Sequence, residues 1–190
     1  SEITSANISL ALEQFMNSIV SNNSKFDKEE RGEATFTASE QRGKDLFYTE
    51  YNAFFPATSG ADCAHCHSGA NFENDQYFNN GLDSDAGMID DGRMKVTKDV
   101  RDRGKFKITS LRNIELTSPY MHDGRFSTLE EVVEHYNSGL VYSTTIDPAL
   151  EATRNTGLFL TSQDKEDLVN FLKTLTDRSL ATDKRYSSPF

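Results

Sequence analysis

Five consecutive residues constrain this chain more than any other stretch of it: Cys63-Ala64-His65-Cys66-His67. Two thiols three positions apart can each form a thioether with a vinyl group of haem, and the histidine that follows can then bind the iron. The chain has 2 cysteines, and both lie in this motif. The spacing therefore predicts one covalently bound haem c, with Cys63 and Cys66 as anchors and His67 as the proximal iron ligand. His65 is predicted to be a filler residue.

Three other interpretations of the cysteine pair are weaker. Zinc would need two further ligands at close spacing, but His122 and His135 lie far downstream and thirteen residues apart. A redox-active pair of the thioredoxin kind follows a strand in a βαβ unit, and no upstream segment alternates as a strand does. The third interpretation is a chance match. Haem attachment explains the complete motif, so it is the preferred interpretation.

Length and charge limit the other classes of function. A chain of 190 residues suits one core, with at most an appended segment. Its net charge of -10 disfavours binding to nucleic acid and to anionic membranes, and suits a basic protein partner. No run of about eighteen apolar residues is present, so membrane insertion is not expected. The first residue is Ser1 rather than Met, which indicates a mature or trimmed product. Bacteria complete haem attachment outside the cytoplasm, so a periplasmic or extracytoplasmic location is expected.

Helical patterns account for most of the regular structure that the sequence predicts. Apolar residues spaced along one stripe predict an amphipathic helix over 6–20 that needs a partner surface. A capping box that begins at Thr37 predicts a helix over 38–50, and one that begins at Ser127 predicts a helix that ends near 137. A last helix is predicted to begin near Thr161. Residues 27–33 are predicted to be a solvated linker, 69–107 and 140–160 irregular, and the chain after 177 a frayed polar tail. The predicted fold is all-α: a c-type cytochrome fold with long loops around one haem.

Two faces of these predicted helices matter for a cofactor. On the helix that ends near 137, Leu129, Val132, Val133 and Tyr136 share one side, so Tyr136 is predicted to point inwards and His135 to be turned away from it. On the helix over 38–50, Gly43 is predicted to let another helix approach closely.

The iron has a second axial position, and its occupant decides the chemistry. A thioether from Met121 would raise the reduction potential and suit an electron carrier, whereas a phenolate from Tyr136 would stabilise ferric iron. An open position would admit peroxide. His122 is a third candidate, and Met88 and Met94 are interpreted as incidental residues. The residues alone leave the choice open.

Several further motifs follow one another in an order that carries a resemblance. They are Asn23 to Asp27, the motif Cys63 to His67, Asp102 to Lys107, Ser110 to Asn113, Thr117 to Gly124 and Thr128 to Asn137. Together they resemble the C-terminal haem domain of the bacterial dihaem cytochrome c peroxidases and their MauG-type relatives, over about residues 11–175.

The resemblance implies further ligands. It favours Tyr136 over Met121 as the distal ligand, because the peroxidases have a methionine and the MauG-type proteins a tyrosine at the matching position. It implies a calcium ion bound by the segment that contains Thr117 and Pro119, with a further ligand from a second domain. It also suggests a salt bridge from Arg112 to a haem propionate, although a surface arginine is an equal interpretation. Asp83, Asp85, Asp90 and Asp91 are interpreted as a solvated segment rather than a calcium loop.

The chain departs from the family in having one attachment motif instead of two, and no tryptophan. The resemblance accordingly divides it into residues 1–35, which are like the end of a missing N-terminal haem domain, the haem domain 36–178 and the polar tail 179–190.

The resemblance implies a haem that relays electrons or oxidising equivalents to a peroxide-reactive haem elsewhere. Its partner would be a second haem domain or a redox protein, and hydrogen peroxide would be reached indirectly. Three alternatives stay open: a free-standing monohaem electron carrier with Met121 on the iron, a single-haem peroxidase with an open distal position, and a haem-free zinc or structural module.

Overall fold

The computed structural model describes residues 2–188, except for the side chain of Ala181, and is mostly helical, as predicted. The helices are α1 (Ser5–Ser18), α2 (Lys25–Glu30), α3 (Ala38–Tyr48), α4 (Met94–Thr97), α5 (Leu129–Ser138), α6 (Pro148–Thr153), α7 (Ser162–Lys173) and α8 (Arg178–Ala181). Strands β1 (Tyr77–Phe78) and β2 (Phe106–Lys107) form one short antiparallel pair. Long loops join these elements.

Helices α3 and α7 begin where the sequence predicts, because their caps are local. Helix α5 begins one residue later than predicted, because Thr128 and Glu131 form its capping box rather than Ser127 and Glu130. At α3 the Thr37 hydroxyl accepts a hydrogen bond from the Glu40 amide at 3.2 Å, and the Glu40 carboxylate accepts one from the Thr37 amide at 2.6 Å. Thr128 and Glu131 exchange the same pair of bonds at α5. Each bond satisfies a backbone amide that has no partner within the helix.

The core forms where α3 packs closely on α7. A Cβ atom added at Gly43 would lie 2.0 Å from the backbone oxygen of Asp167, so any side chain at this position would force the helices apart. The rings of Phe47 and Phe171 are fully buried, with their centroids 5.2 Å apart. The predicted close approach at Gly43 is thus confirmed, and its partner is α7.

A buried carboxylate also joins α3 to α7. Asp167 accepts hydrogen bonds from Arg42 Nε at 2.7 Å, from Gln163 Nε2 at 3.0 Å and from the Ser39 hydroxyl. Burial opposes the ionisation of Asp167, but the bonds from Arg42, Ser39 and Gln163 outweigh it and lower the pKa of this carboxyl below its ordinary value.

The prediction of a solvated linker over 27–33 is wrong, because α2 occupies Lys25–Glu30. Ser24 and Asp27 form the capping box that begins this helix. Asp27 also accepts two hydrogen bonds from the Arg112 guanidinium, at 3.1 and 3.0 Å. Burial raises the pKa of Asp27, but the bonds from Arg112 and Ser24 outweigh that effect and lower it.

Two other segments are more ordered than predicted. The pairing of β1 with β2 and the short helices α4 and α6 lie within stretches predicted to be irregular. The tail forms α8, whose first amides donate to the Asp177 carboxylate, and its Tyr186 ring packs edge-on against Phe15 at 6.1 Å. Ser1 and the last two residues of the predicted tail lie outside the described residues.

Helix α1 confirms the predicted amphipathic helix but has no buried residue. Leu10 and Met16 are 58% and 62% exposed. The contact of Phe15 with the Tyr186 ring of the tail covers part of the apolar side of α1. None of the helices in this part of the chain is long and apolar enough to cross a membrane.

Candidate haem-binding site

The end of α3 holds the attachment motif in place. The amides of Ala61 and Asp62 donate to the carbonyls of Leu46 and Thr49 at 2.9 and 3.0 Å. Asp62 has left-handed backbone angles, which turn the chain into a single helical turn over Cys63–His65. The His67 amide closes the motif by donating to the Cys63 carbonyl at 2.9 Å. The two cysteines and His67 are therefore fixed by backbone bonds to a core helix.

The His67 ring is oriented by a hydrogen bond between its Nδ1 and the backbone oxygen of Phe72, at 3.0 Å. A carbonyl can only accept, so Nδ1 carries the proton and Nε2 keeps its lone pair. Burial lowers the pKa of His67 and outweighs the opposite effects of its hydrogen bonds with the backbones of Phe72 and Thr109, so the neutral imidazole is favoured. A neutral imidazole with a bare Nε2 is the form that binds iron.

An apolar cavity of about 470 Å³ adjoins the motif. This volume lies in the range of about 300–1,000 Å³ that is typical of cofactor sites. Its wall combines side chains of α3, α5 and α7 with the loops around them. Members of the wall include Phe47, Ala61, Cys63, His67, Phe78, Leu111, Ile114, Leu129, Val133, Leu158, Leu168 and Leu172.

The two thiols are not paired with each other or with a metal-binding cluster. Burial, together with the nearby Asp62, raises the pKa of Cys63 to about 12, and burial with Asp147 and Asp62 raises that of Cys66 to about 12. Zinc binds thiolates. Within residues 2–188 no group of three or more His, Cys, Asp or Glu could hold a metal ion. The geometry therefore does not support the zinc interpretation.

Tyr136 and Met121, the two leading candidates for the distal ligand, both line the cavity. They share a hydrogen-bond donor: Asn80 Nδ2 lies 3.3 Å from Met121 Sδ and 3.4 Å from Tyr136 Oη. Burial raises the pKa of Tyr136 to about 12, against the smaller opposing effect of the bond from Asn80. The hydroxyl is therefore protonated at neutral pH unless a metal ionises it.

The loop that carries Met121 is held at both ends. Tyr120 donates from its hydroxyl to the Ile114 carbonyl at 3.0 Å and from its amide to the Phe126 carbonyl at 2.7 Å. Met121 itself has a φ of 72°, a left-handed conformation that is uncommon for methionine. These contacts hold the backbone of the loop beside the cavity, and Asn80 Nδ2 contacts the Met121 sulfur.

The other methionine and histidine candidates have different surroundings. The His122 ring lines the cavity and stacks on Phe106, with the centroids 3.8 Å apart. Met88 packs against the backbone of Gly104 and is not part of the cavity wall.

Arg112 does not line the cavity. Its guanidinium is bound to Asp27 and to the backbone oxygen of Ala70, at 2.9 Å. The cationic side chain in the cavity wall is Lys107, whose ammonium group also pairs with Asp75 at 2.8 Å. Thr117 and Pro119, the proposed calcium residues, both lie in the wall.

Sequence reasoning missed Asn80, Lys107 and His135. The prediction that His135 is turned away from the inward side is wrong: His135 is buried, its ring centroid lies 5.2 Å from that of Tyr136, and its Nε2 hydrogen-bonds with the Asn80 backbone oxygen at 3.0 Å. No periodic pattern marks Asn80 or Lys107, because distant loops bring them to the cavity. The pair Asn79-Asn80 after Tyr77–Phe78 would have been the available signal, although it does not distinguish Asn80 from Asn79.

These residues fit a haem. Cys63 and His67 line an apolar cavity of suitable size, Cys66 lies between them in the motif, and two candidate axial ligands line the same cavity. Fold and site together define a helical haem domain of the cytochrome c type.

Comparisons with known proteins agree with this class. The chain is 37% identical to the cytochrome c551 peroxidase of Nitrosomonas europaea over 136 residues, which cover 70% of this chain and 37% of that protein. It is 30% identical to the methylamine utilization protein MauG of Methylorubrum extorquens over 174 residues, covering 91% of this chain and 45% of that protein. A solved MauG-like protein associated with microbial copper homeostasis is 36% identical, with a TM-score of 0.76, covering 89% of this chain and 52% of that one. No protein-family model matches the chain.

The chain belongs to the family of bacterial cytochrome c peroxidases and MauG proteins. It spans about half the length, or less, of the curated relatives that it matches. Membership of this family implies that it binds haem c.

Proposed function

We propose that this chain is the electron-transfer half of a peroxidase-family oxidoreductase. One covalently bound haem would relay electrons or oxidising equivalents to a peroxide-reactive haem elsewhere in the assembly. The observation that carries the proposal is the arrangement of Cys63 and His67 beside an apolar cavity whose wall also contains Tyr136. A haem with protein ligands on both sides has no position for peroxide, which favours electron transfer over turnover.

The residues have distinct roles in this proposal. Cys63 and Cys66 anchor the haem, His67 is the proximal ligand and Tyr136 is the distal ligand. The haem supplies one-electron redox chemistry, and the protein sets its reduction potential through the axial ligands and the low polarity of the cavity. The wall excludes water, which limits side reactions.

A free-standing monohaem electron carrier with Met121 on the iron is the second candidate. It is supported by the position of Met121 in the cavity wall, where its sulfur lies as near to Asn80 Nδ2 as the Tyr136 oxygen does. A thioether ligand would give a higher reduction potential than a phenolate.

The partner in our leading proposal is a second haem domain, on the same chain or on another one, or a redox protein. The exposed apolar side of α1 supports this, because such residues are usually covered by another surface. We include a calcium ion only for that assembly, in which Thr117 and Pro119 would bind the ion through backbone oxygens. A periplasmic location follows from the attachment of haem outside the cytoplasm.

The ferric absorption spectrum of the purified protein, recorded into the far red, tests the ligand assignment. We expect a spectrum without the methionine-to-iron charge-transfer band, which changes when Tyr136 is replaced by Phe. Tyr142→Phe is the matched control, since Tyr142 is half exposed and not part of the cavity wall. A methionine band that Met121→Leu abolishes would move the assignment to the electron carrier.

Peroxide turnover tests the proposed role. The haem-loaded chain alone should show little turnover with hydrogen peroxide and bind cyanide slowly. Rapid cyanide binding and high turnover would instead indicate a single-haem peroxidase with an open distal position.

A further inference from the structure

Asn80 lies between the two side chains that compete for the distal position. Its Nδ2 donates to Met121 Sδ at 3.3 Å and to Tyr136 Oη at 3.4 Å, and Asn80 is itself part of the cavity wall. A thioether sulfur has no proton to give, so only the amide nitrogen can form a hydrogen bond with Met121. The orientation of the Asn80 amide, nitrogen towards both ligands, is therefore the one that its surroundings require.

The backbone of Asn80 is fixed by the same helix that carries Tyr136. The buried His135 hydrogen-bonds through Nε2 with the Asn80 oxygen at 3.0 Å, and a carbonyl can only accept, so the imidazole donates. The preceding residue, Asn79, is buried and donates to Ser143 and Thr145 at 3.0 and 2.9 Å. The backbone of Asn80 is thus held independently of the two candidate ligands, and its side-chain amide contacts both of them.

An N–H donor at this position stabilises the iron complexes of the two candidate ligands to different extents. A phenolate oxygen bound to iron is an ionised acceptor, and hydrogen bonds to ionised acceptors are roughly twice as strong as neutral ones. A thioether is a weak, neutral acceptor. The same N–H therefore stabilises the iron complex of Tyr136 more than that of Met121.

We propose that Asn80 is the positioning residue that selects Tyr136 over Met121 as the distal ligand, by donating its side-chain N–H to the phenolate oxygen. This inference rests on the proposed haem site. It adds a residue outside the attachment motif and outside both ligand positions.

The test compares haem-loaded wild type with Asn80→Leu, which removes the donor at similar volume. Asn71→Ala is the matched control, because Asn71 lies on the exposed surface of a nearby loop. Haem content is measured first, and the ferric spectrum then reports the ratio of tyrosine to methionine ligation. We expect Asn80→Leu to lower this ratio about tenfold and Asn71→Ala to leave it unchanged.

A second measurement separates ligand selection from general damage to the site. In a Met121→Leu background Tyr136 has no competitor, and adding Asn80→Leu should strengthen electron donation by the phenolate. The reduction potential should then fall by about 59 mV, the equivalent of a tenfold change for a one-electron couple. Asn80→Asp, which keeps the size but replaces the donor by a carboxylate, should shift ligation in the same direction if Asn80→Leu does not fold.

Each outcome decides between the proposals. Normal haem content with an unchanged spectrum and potential in the Asn80 variants would overturn the role of Asn80 and leave the proposed function intact. Methionine ligation in the wild type would overturn the selection of Tyr136. A wild-type protein that takes up no covalent haem would overturn the proposed function itself.

Discussion

Cys63 and Cys66 are half-buried thiols whose pKa is raised to about 12, so the chemistry of each thiol depends on the groups beside it. Cys63 lines the apolar cavity and Cys66 does not, and thioether formation by both thiols belongs to the proposed function.

We expect the Cys63→Ser/Cys66→Ser double variant to lose covalent haem completely, since no other thiol is present. Extraction with acidified acetone should remove all haem from this variant and none from the wild type. His65→Ala is the control, because His65 is predicted to play no part. Haem that resists extraction from the double variant would contradict the attachment site.

Asp167 predicts a pH dependence of stability. Because its folded-state pKa lies below the ordinary value of 3.8, the stabilisation that it provides is complete above that value and is lost as the pH falls through the folded-state pKa. Asp167→Asn should lower the free energy of unfolding by about 2 kcal/mol at pH 7, and this difference should shrink below about pH 4.

Urea unfolding at pH 7, 5 and 3 measures this difference. Asp45→Asn, on the exposed side of α3, is the control and should change stability by less than about 0.5 kcal/mol. A difference for Asp167→Asn that stays constant down to pH 3 would show that the carboxylate charge is not the cause.

At the level of the elements, α3 and α7 form the contact on which the attachment motif depends. We expect Gly43→Ala to lower the free energy of unfolding by about 1–3 kcal/mol despite the better helix propensity of alanine, because the added methyl group would overlap the α7 backbone.

Gly87→Ala is the matched control for Gly43→Ala. The nearest atom to its added Cβ is Ser84 Oγ at 3.4 Å, an ordinary contact, and its φ is not positive. Thermal unfolding compares the two variants. Equal midpoints for both would mean that α3 and α7 can separate without cost.

The sequence predicts those elements whose signals are local. The caps at Thr37, Thr128 and Thr161 involve residues three positions apart, so the starts of α3, α5 and α7 are visible in a short window. Helix α2 was not predicted, because its charged residues resemble a solvated linker, although Ser24 and Asp27 form a capping box of the same kind. Strands β1 and β2 are two residues long and join distant segments, so they show no period.

The residues of the candidate site also divide into those that a local sequence signal predicts and those that it does not. The attachment motif and the inward face of α5 follow from spacing, whereas Asn80 and Lys107 reach the cavity through the pairing of β1 with β2. Arg112 pairs with Asp27, which lies on the helix α2 that was not predicted, so this partner could not be foreseen from the sequence.

At the level of the whole molecule, α1 contributes nothing to the buried core. Isolated helices of this length are marginal in water. We expect hydrogen exchange to be fast throughout α1 and slow in α7, whose apolar side is buried.

Exchange measured at two protein concentrations supplies the control for α1. Protection that rises with concentration would indicate that a second copy covers the helix. Protection equal to that of α7 at all concentrations would contradict the exposed state of α1.

The cavity has a consequence for how the chain responds to compression. Phe47, Leu129, Leu168 and Leu172 belong both to the buried core and to the wall of the partly open cavity of about 470 Å³, so the packing of the core includes the site that a haem would fill. Hydrostatic pressure favours the state with the smaller volume, and internal void space is eliminated on unfolding. Protein without cofactor should therefore unfold at lower pressure than the haem-loaded protein, which makes pressure a means of separating the two forms.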